Sequence, residues 1–320
     1  MNGAARWFER NTHHWDDWTL DDLVAARRET RVSLVVPARN EAATVGDVVT
    51  RVRSALMDTV SLLDEIVVID SDSTDDTYAV STDAGAVVHR SAEIRPDLGS
   101  VPGKGEAMWK SLFVTSGELL VFMDADLVDW DTHFVPGLLG PLLTRPEVSL
   151  VKGFYERPGV GDLDKLDHRG QRAGHRSASL DGGRVTELVA RPLIALEHPE
   201  LAGLVQPLAG EWAVRRSLFS ALSVPTGYAV ELAALVDTAS LHGVDAVAQV
   251  DLGRRTHSHQ NLLDLGAMAV QLLGAMQSRR AGVETAESVV LRQYRPVDGR
   301  IAPAERVVPL TERPPARTVA

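Results

Sequence analysis

Four short apolar runs mark the first half of the chain: Val32-Ser33-Leu34-Val35-Val36, Glu65-Ile66-Val67-Val68-Ile69, Ala86-Val87-Val88 and Leu119-Leu120-Val121-Phe122-Met123. Their hydrophobicity is continuous rather than alternating, the pattern of strands covered on both faces, as in a parallel sheet. Between them the sequence predicts helices over about 43–57, 75–84 and 104–115. Strands alternating with helices predict an α/β sheet joined by right-handed crossovers. Such sheets bind ligands beyond the carboxyl ends of their strands, which directs attention to residues 37–41, 70–74 and 124–126.

The second half is mixed. Residues 148–155 and 244–252 read as strands, and 184–197, 228–242 and 261–279 as helices. Residues 156–183 are rich in Gly, Asp, Arg and His with little periodicity, and read as a long mobile loop. Beyond residue 295, Pro296, Pro303, Pro309, Pro314 and Pro315 predict an extended tail wrapping the surface or a partner. Ahead of the first strand, Thr19 followed by Asp21 and Asp22 marks a helix start. That lead-in brings Trp7, Trp15 and Trp18, half of the six tryptophans, to dock on the body. The expected organisation is a lead-in (1–30), a first half-sheet (31–150), a second half (151–280) and a tail (281–320), with no internal repeat.

Composition narrows the chemistry. The 320 residues are 44% hydrophobic and 24% charged, as in an ordinary folded protein. A net charge of −11 argues against general nucleic-acid binding through a basic surface. The absence of cysteine excludes disulfides, thiol catalysis and Cys-ligated metal sites. No apolar run approaches a bilayer span and no leader is visible, so a soluble cytoplasmic protein without membrane insertion is expected.

Several constellations carry chemistry. The first strand stops at Pro37-Ala38-Arg39-Asn40-Glu41, which would present backbone N–H groups and a carboxylate at the sheet edge. The second ends in Asp70-Ser71-Asp72-Ser73-Thr74-Asp75-Asp76-Thr77, which fits a nucleoside-binding loop with Asp75 and Asp76 starting a helix. The same residues match the D-x-D-x-T nucleophile motif of haloacid-dehalogenase-type phosphatases, with Lys152 and the Asp124/Asp126 pair as the required partners. After the fourth strand, Asp124-Ala125-Asp126 places carboxylates at i and i+2, which can jointly approach one hard cation. Such a cation neutralises a diphosphate leaving group. Pro102-Gly103-Lys104-Gly105-Glu106-Ala107 suits anion binding by N–H groups, helix dipole and ammonium, though its spacing is not that of a P-loop. Gly182-Gly183-Arg184-Val185-Thr186 reads as a phosphate or carboxylate clamp at a helix start. Arg254-Arg255-Thr256-His257-Ser258-His259 follows a strand, and an imidazole beside carboxylates shifts metal preference from Mg2+ toward Mn2+.

Together these motifs resemble the family-2-like GT-A glycosyltransferases, and within them the actinobacterial glucosyl-3-phosphoglycerate synthases, from about 31 to 280. Further residues carrying the resemblance are Gly183-Arg184-Val185-Thr186-Glu187-Leu188-Val189-Ala190-Arg191-Pro192, Gln206-Pro207-Leu208-Ala209-Gly210-Glu211, Gly227-Tyr228-Ala229-Val230-Glu231 and Leu265-Gly266-Ala267-Met268. The resemblance implies a mixed Rossmann-like GT-A sheet with helices on both faces, a nucleotide half and an acceptor half. The implied reaction is retaining transfer of glucose from NDP-glucose to 3-phosphoglycerate by a homodimer that uses Mg2+ or Mn2+. By resemblance, Pro37, Ala38, Arg39, Glu41, Ser71, Lys104, Asp124 and Ala125 contact the nucleotide. Leu208, Tyr228, Glu231 and Arg255 face the donor sugar, and Gly183, Arg184, Val185, Thr186 and His259 the acceptor. Asp126 and His257 ligate the metal, and Glu231, Asp124, Arg255 and Lys104 carry the catalytic roles. The chain departs from the pattern at Asp72, where a glycine is expected, and at His259, where an asparagine is.

Other readings use some of the same parts. Mannosyl-3-phosphoglycerate synthesis, or another anionic acceptor, is the nearest alternative. A phosphatase would leave Pro37 to Glu41 idle, and a nucleotidyltransferase needs a glycine-rich loop where Arg39-Asn40-Glu41 stands. A polyprenyl-phosphate glycosyltransferase is disfavoured by the Gly-Arg-Val-Thr clamp. A non-catalytic NDP-sugar-binding protein would not release NDP.

Overall fold

The computed structural model describes residues 3–156, 183–255, 261–280, 283, 286–297 and 300–319. The chain begins with α1 (Gly3–Asn11), β1 (Thr12–His14) and α2 (Leu20–Arg27). Then come β2 (Val32–Ala38), α3 (Val45–Arg53), β3 (Glu65–Asp70), α4 (Thr77–Asp83), β4 (Val87–Arg90), α5 (Lys104–Ser111) and β5 (Leu119–Phe122). After α6 (Phe134–Thr144) and β6 (Leu150–Glu156), a π-helical turn (Thr186–Ala190) leads into α7 (Arg191–Glu197). Next are β7 (Trp212–Arg215), α8 (Arg216–Phe219), β8 (Val224–Pro225), α9 (Val230–His242) and β9 (Val247–Arg254). The last elements are α10 (Leu262–Ser278), β10 (Ser288–Val297), β11 (Arg300–Pro309) and β12 (Glu312–Arg313).

Eight strands form one sheet in the order β1-β9-β6-β7-β5-β2-β3-β4. Its pairings are parallel except where β7 runs antiparallel to both β5 and β6. The continuous apolar runs become doubly covered strands, as expected. Along β2, β3 and β5, Leu34, Val36, Val68 and Val121 enter one core, while Val35, Val67, Ile69 and Phe122 enter the core on the opposite face.

Among the elements unseen in the sequence pattern, three shape the sheet and its cover. Helix α6 reads Phe-Val-Pro-Gly-Leu-Leu-Gly-Pro-Leu-Leu-Thr, apolar on every side, so it shows no helical period. Its glycines have a packing reason. A Cβ on Gly140 would lie 2.2 Å from Trp18 Cε3, and one on Gly137 would lie 3.1 Å from Trp15 Cβ. The lead-in tryptophans thus seat on α6, and Trp7 Nε1 donates to Val244 O at 2.9 Å. Strand β7, Trp-Ala-Val-Arg, ends in arginine and follows Glu211, so it lacks the uniform apolar run that marks the equally short β5, and β1 has only three residues.

Two expectations are corrected. The helix over 104–115 stops at Ser111, because Phe113 and Val114 bond back to Lys110 and Ser111 in a tighter turn. The segment beyond 281 is not merely extended: β10 and β11 pair antiparallel over ten residues, and β12 pairs with β8. The prolines that suggested an unpaired tail are compatible with this, since each strand of a two-stranded ribbon has one free edge.

Candidate active site

The site lies where the sheet's central strands end. Asp124 and Asp126 follow β5, and Lys104 is the first residue of α5. Glu231 stands in the first turn of α9, and Arg255 directly follows β9. Lys104 Nζ lies 2.6 Å from Asp124 Oδ1 and 2.8 Å from Glu231 Oε1. Arg255 Nη2 donates to Asp124 Oδ2 at 3.1 Å and reaches Asp126 Oδ1 at 3.4 Å. Its other nitrogen, Nη1, donates to both Glu211 oxygens and to the Tyr155 hydroxyl, each at 2.7 Å. Arg255 Nε is buried and has no hydrogen-bond partner among the described residues. Four sequence-predicted residues from four elements, Lys104, Asp124, Glu231 and Arg255, therefore form one charge network.

Electrostatics follow from this packing. Burial works against the Lys104 ammonium, but Asp124 and Glu231 outweigh it and raise its pKa. Burial likewise opposes the charged form of Asp124, and Lys104 and Arg255 overcome it, holding the carboxyl well below its usual range. Asp126 is raised by burial and by the Asp124 charge. Glu41 is pushed up to about 7 by burial, then by Asp126, Asp124 and Asp75. Negative charge thus outweighs the Arg255 and Lys104 cations on the Glu41 and Asp126 side of the network. Hard oxygens at i and i+2 beside excess negative charge fit a divalent cation such as Mg2+ or Mn2+. Among the described residues, no group of three acidic or histidine side chains converges as a complete metal site. His257, the second expected ligand, lies outside the described residues, as does His259 of the expected acceptor site. So does the segment 157–182, read from sequence as a loop.

The loops at the neighbouring strand ends are laced together. Ser71 N–H donates to Ala38 O, Asn40 N–H to Ser73 Oγ, Glu41 N–H to Thr77 Oγ1 and Ala42 N–H to Asp75 Oδ2. These N–H groups were expected to face a ligand; they are taken by protein oxygens, which leaves the Glu41 carboxylate and the Arg39 side chain as the loop's offer. Pro37 and Ala38 end β2 beside Asp70 of β3. The same correction applies to the lysine turn. Gly105 and Glu106 N–H groups donate to Gly227 O and Thr226 O, so the Lys104 ammonium, not a nest of amides, points into the site. A Cβ on Gly103 would lie 2.1 Å from Thr226 O, and one on Gly105 1.9 Å from Pro225 O, so both glycines serve close backbone approach.

The phosphatase reading fails on topology. Asp70 ends β3 and Lys152 sits in β6, four strand spacings away in the sheet order, or roughly 19 Å at the usual interstrand distance. Asp70 instead accepts the N–H of Ser73.

Gly183, at φ +86°, precedes the clamp. Arg184 is exposed, whereas Val185 and Thr186 are buried. Val185 shares its core with Ala229 and Val230, the residues just before Glu231. Leu208 is partly buried against that core, and Ala125 is buried in the core on the sheet's other face. Tyr228, its N–H on Gln271 Oε1, is exposed at the start of α9.

Sequence reasoning missed Tyr155 and the roles of Glu211 and Lys152. Glu211 is fully buried and, with Tyr155, fixes the Arg255 guanidinium. The available signal was an acid directly before Trp212, at the mouth of an unrecognised strand. Lys152 is pushed down to about 8 by burial, and its ammonium donates to Ala209 O. It thereby fastens the 206–211 segment, where Gly210 leaves room for the Asp124 carboxylate.

Fold and site together are those of a nucleotide-sugar transferase of GT-A type. The profile of glycosyl transferase family 2 matches residues 33–198. The glucosyl-3-phosphoglycerate synthase of Mycolicibacterium smegmatis is 42% identical over 315 residues, 98% of either chain. The crystal structure of the Mycobacterium tuberculosis glucosyl-3-phosphoglycerate synthase with Mn2+, UDP and glucosyl-3-phosphoglycerate superposes with a TM-score of 0.82. Its sequence is 39% identical, and the match covers 97% of this chain and 99% of that one. The mannosyl-3-phosphoglycerate synthase of Rubrobacter xylanophilus gives a TM-score of 0.85 at 35% identity, covering 99% of this chain and 98% of that one. The chain belongs to glycosyl transferase family 2 and shares its family with these phosphoglycerate-directed synthases. Among the described residues no helix is long and apolar enough to cross a membrane.

Proposed function

We propose that this chain transfers glucose from an NDP-glucose donor to 3-phosphoglycerate with retention of configuration, releasing NDP. The observation that carries the reading is the Lys104–Asp124–Arg255–Glu231 network, four side chains that meet only through the fold. The identity of 42% to a glucosyl synthase over the full length supports glucose as the sugar. The likeness to the Rubrobacter protein favours mannose as the second reading.

Asp126, with His257, would hold a divalent cation, whose charge neutralises the departing diphosphate. In our reading Lys104 and Arg255 contact the same diphosphate, exchanging their carboxylate partners for phosphate oxygens. Pro37, Ala38, Arg39, Glu41, Ser71 and Ala125 line the nucleotide site. Glu231, freed from Lys104, orients the donor sugar with Leu208 and Tyr228. Arg184 and Thr186, with Gly183, Val185 and His259, grip the acceptor's phosphate or carboxylate at the helix start. The leaving phosphate oxygen accepts the acceptor hydroxyl's proton on the same face, so no enzyme nucleophile is needed. Residues 31–150 would form the nucleotide half, 151–280 the acceptor half, and 1–30 a lead-in.

We further read the protein as a cytoplasmic homodimer; the absence of cysteine agrees with a reducing compartment. Support for the dimer comes from one face of the β10–β11 ribbon, where Val290, Tyr294, Ile301 and Val307 are each at least 60% exposed. These apolar side chains flank the exposed Arg292–Glu305 ion pair on the same face, and a face of that make-up invites a partner.

Asp126→Ala tests the metal-dependent scheme. A fall in turnover of about 10²-fold or more is expected, with Tm retained. Full activity of that variant in the presence of EDTA would contradict it.

A further inference from the structure

The C-terminal strand reaches the turn of the active-site lysine through an ion pair to a buried carboxylate. Arg313 lies on β12, and its guanidinium grips Glu106 with two bonds of 2.6 Å, Nε to Oε2 and Nη2 to Oε1. Glu106 is fully buried and sits two residues after Lys104 in the first turn of α5. The same guanidinium donates to Leu98 O at 2.8 Å and Gly99 O at 3.3 Å, in the segment entering that turn, and lies over the Trp109 ring. Trp109 Nε1 in turn donates to Pro314 O at 2.8 Å.

The backbone between the two catalytic helices is clamped from both sides. Residues 224–227 pair with the tail through Thr226 N–H to Thr311 O and through β8–β12. On the other flank the same residues accept the N–H groups of Gly105 and Glu106. Lys104 opens the outer layer of this stack, and Glu231, four residues beyond Gly227, meets its ammonium at 2.8 Å. Beyond it, Glu312 ties to Arg279 at 2.8 Å, fixing the tail to the end of α10.

We infer that Arg313 is a positioning residue for glycosyl transfer: through Glu106 it sets the first turn of α5 and thereby the place of the Lys104 ammonium against the donor diphosphate. This rests on the proposed contact between Lys104 and the diphosphate. A guanidinium that joins one carboxylate to two loop carbonyls is pre-organised for such a task. Without it, the buried Glu106 carboxylate keeps only the long bond from Val101 N–H at 3.4 Å and loses its ion-pair partner, and the lysine turn must shift to solvate it.

The test measures UDP binding by calorimetry in the presence of Mn2+, and steady-state kinetics with each substrate varied, for wild type, Arg313→Ala, Arg313→Lys and Lys104→Ala. Arg10→Ala, which removes an exposed ion pair with Asp245, is the control. Arg313→Ala is expected to weaken UDP binding about tenfold and to lower kcat/KM for NDP-glucose by a similar or larger factor. The KM for 3-phosphoglycerate should stay within about twofold of wild type, a split that general loosening of the fold would not give. Arg313→Lys, which keeps one ammonium–carboxylate contact, should recover most of the loss, and it carries the test if Arg313→Ala fails to fold. Wild-type UDP affinity in a folded Arg313→Ala or Arg313→Lys protein that turns over normally would overturn the inference. So would an equal rise in KM for both substrates. If Lys104→Ala binds UDP as wild type does, the failure belongs to the proposed Lys104 contact instead, and the inference falls with it.

Discussion

At the scale of single residues, the site is a set of charges that satisfy one another until substrate arrives. Glu41 is the exception: burial and the charges of Asp126, Asp124 and Asp75 push its pKa up to about 7. A carboxyl raised above its ordinary 4.5 contributes its full stability below about 4.5 and loses it as pH rises through about 7. Glu41→Gln should therefore match wild type in Tm at pH 5 and exceed it at pH 8. The gain is about 1 kcal/mol after allowing for the solvent that screens a half-exposed group. Differential scanning of both proteins at the two pH values checks this, and a gain that is equal at both would contradict it. Residue identities were the most legible part of the sequence, because Lys104, Asp124, Glu231 and Arg255 sit in short motifs of distinct composition. Which groups those side chains touch was not legible. The Glu211 and Tyr155 supports of Arg255 come from elements 44 and 100 residues away, and no local pattern announces them. Asp72 adopts φ +56°, a conformation asparagine, aspartate and especially glycine tolerate, which explains why aspartate can stand in a position where the resemblance expects glycine.

At the scale of elements, periodicity worked where one face or both faces of a strand are uniformly buried. It failed for α6, whose all-apolar sequence and four Gly and Pro residues carry no period, although the helix is a main support of the sheet. It failed too for β7, which is short but occupies the centre of the sheet and turns the strand direction beside the site. The glycines of α6 make a testable claim. Gly140→Ala places a methyl group against the Trp18 ring, where the unshifted separation would be 2.2 Å. Trp18 must move off α6, at an expected cost of about 1–3 kcal/mol and a Tm lower by a few degrees. Calorimetric unfolding measures it. UDP affinity should be unchanged, because this contact lies on the lead-in and not at the strand ends. An unchanged Tm would show that the tryptophan does not seat there.

At the scale of the whole molecule, the chain joins distant segments into one frame around the strand ends. The lead-in adds β1 to one edge of the sheet, and the last strand, β12, braces the turns that carry Lys104 and Glu231. The ribbon between them is where the sequence was least informative. Its prolines read as an extended tail wrapping the surface or a partner, whereas Pro296, Pro303 and Pro309 occupy a hairpin whose outer face exposes Val290, Tyr294, Ile301 and Val307 around an Arg292–Glu305 ion pair. If that face joins two copies, Ile301→Asp together with Tyr294→Asp should convert a dimer to a monomer in light scattering. A wild-type monomer at micromolar concentration would contradict the homodimer. The central claim is the transfer itself. Its most direct measurement is a grid of UDP-glucose, other NDP-glucoses and GDP-mannose against 3-phosphoglycerate and related anions, with Mg2+ or Mn2+ and mass detection of the product. The account predicts glucosyl-3-phosphoglycerate and free NDP, formed only with metal present. A mannosyl product in preference to the glucosyl one, or no product from any pair, would contradict it.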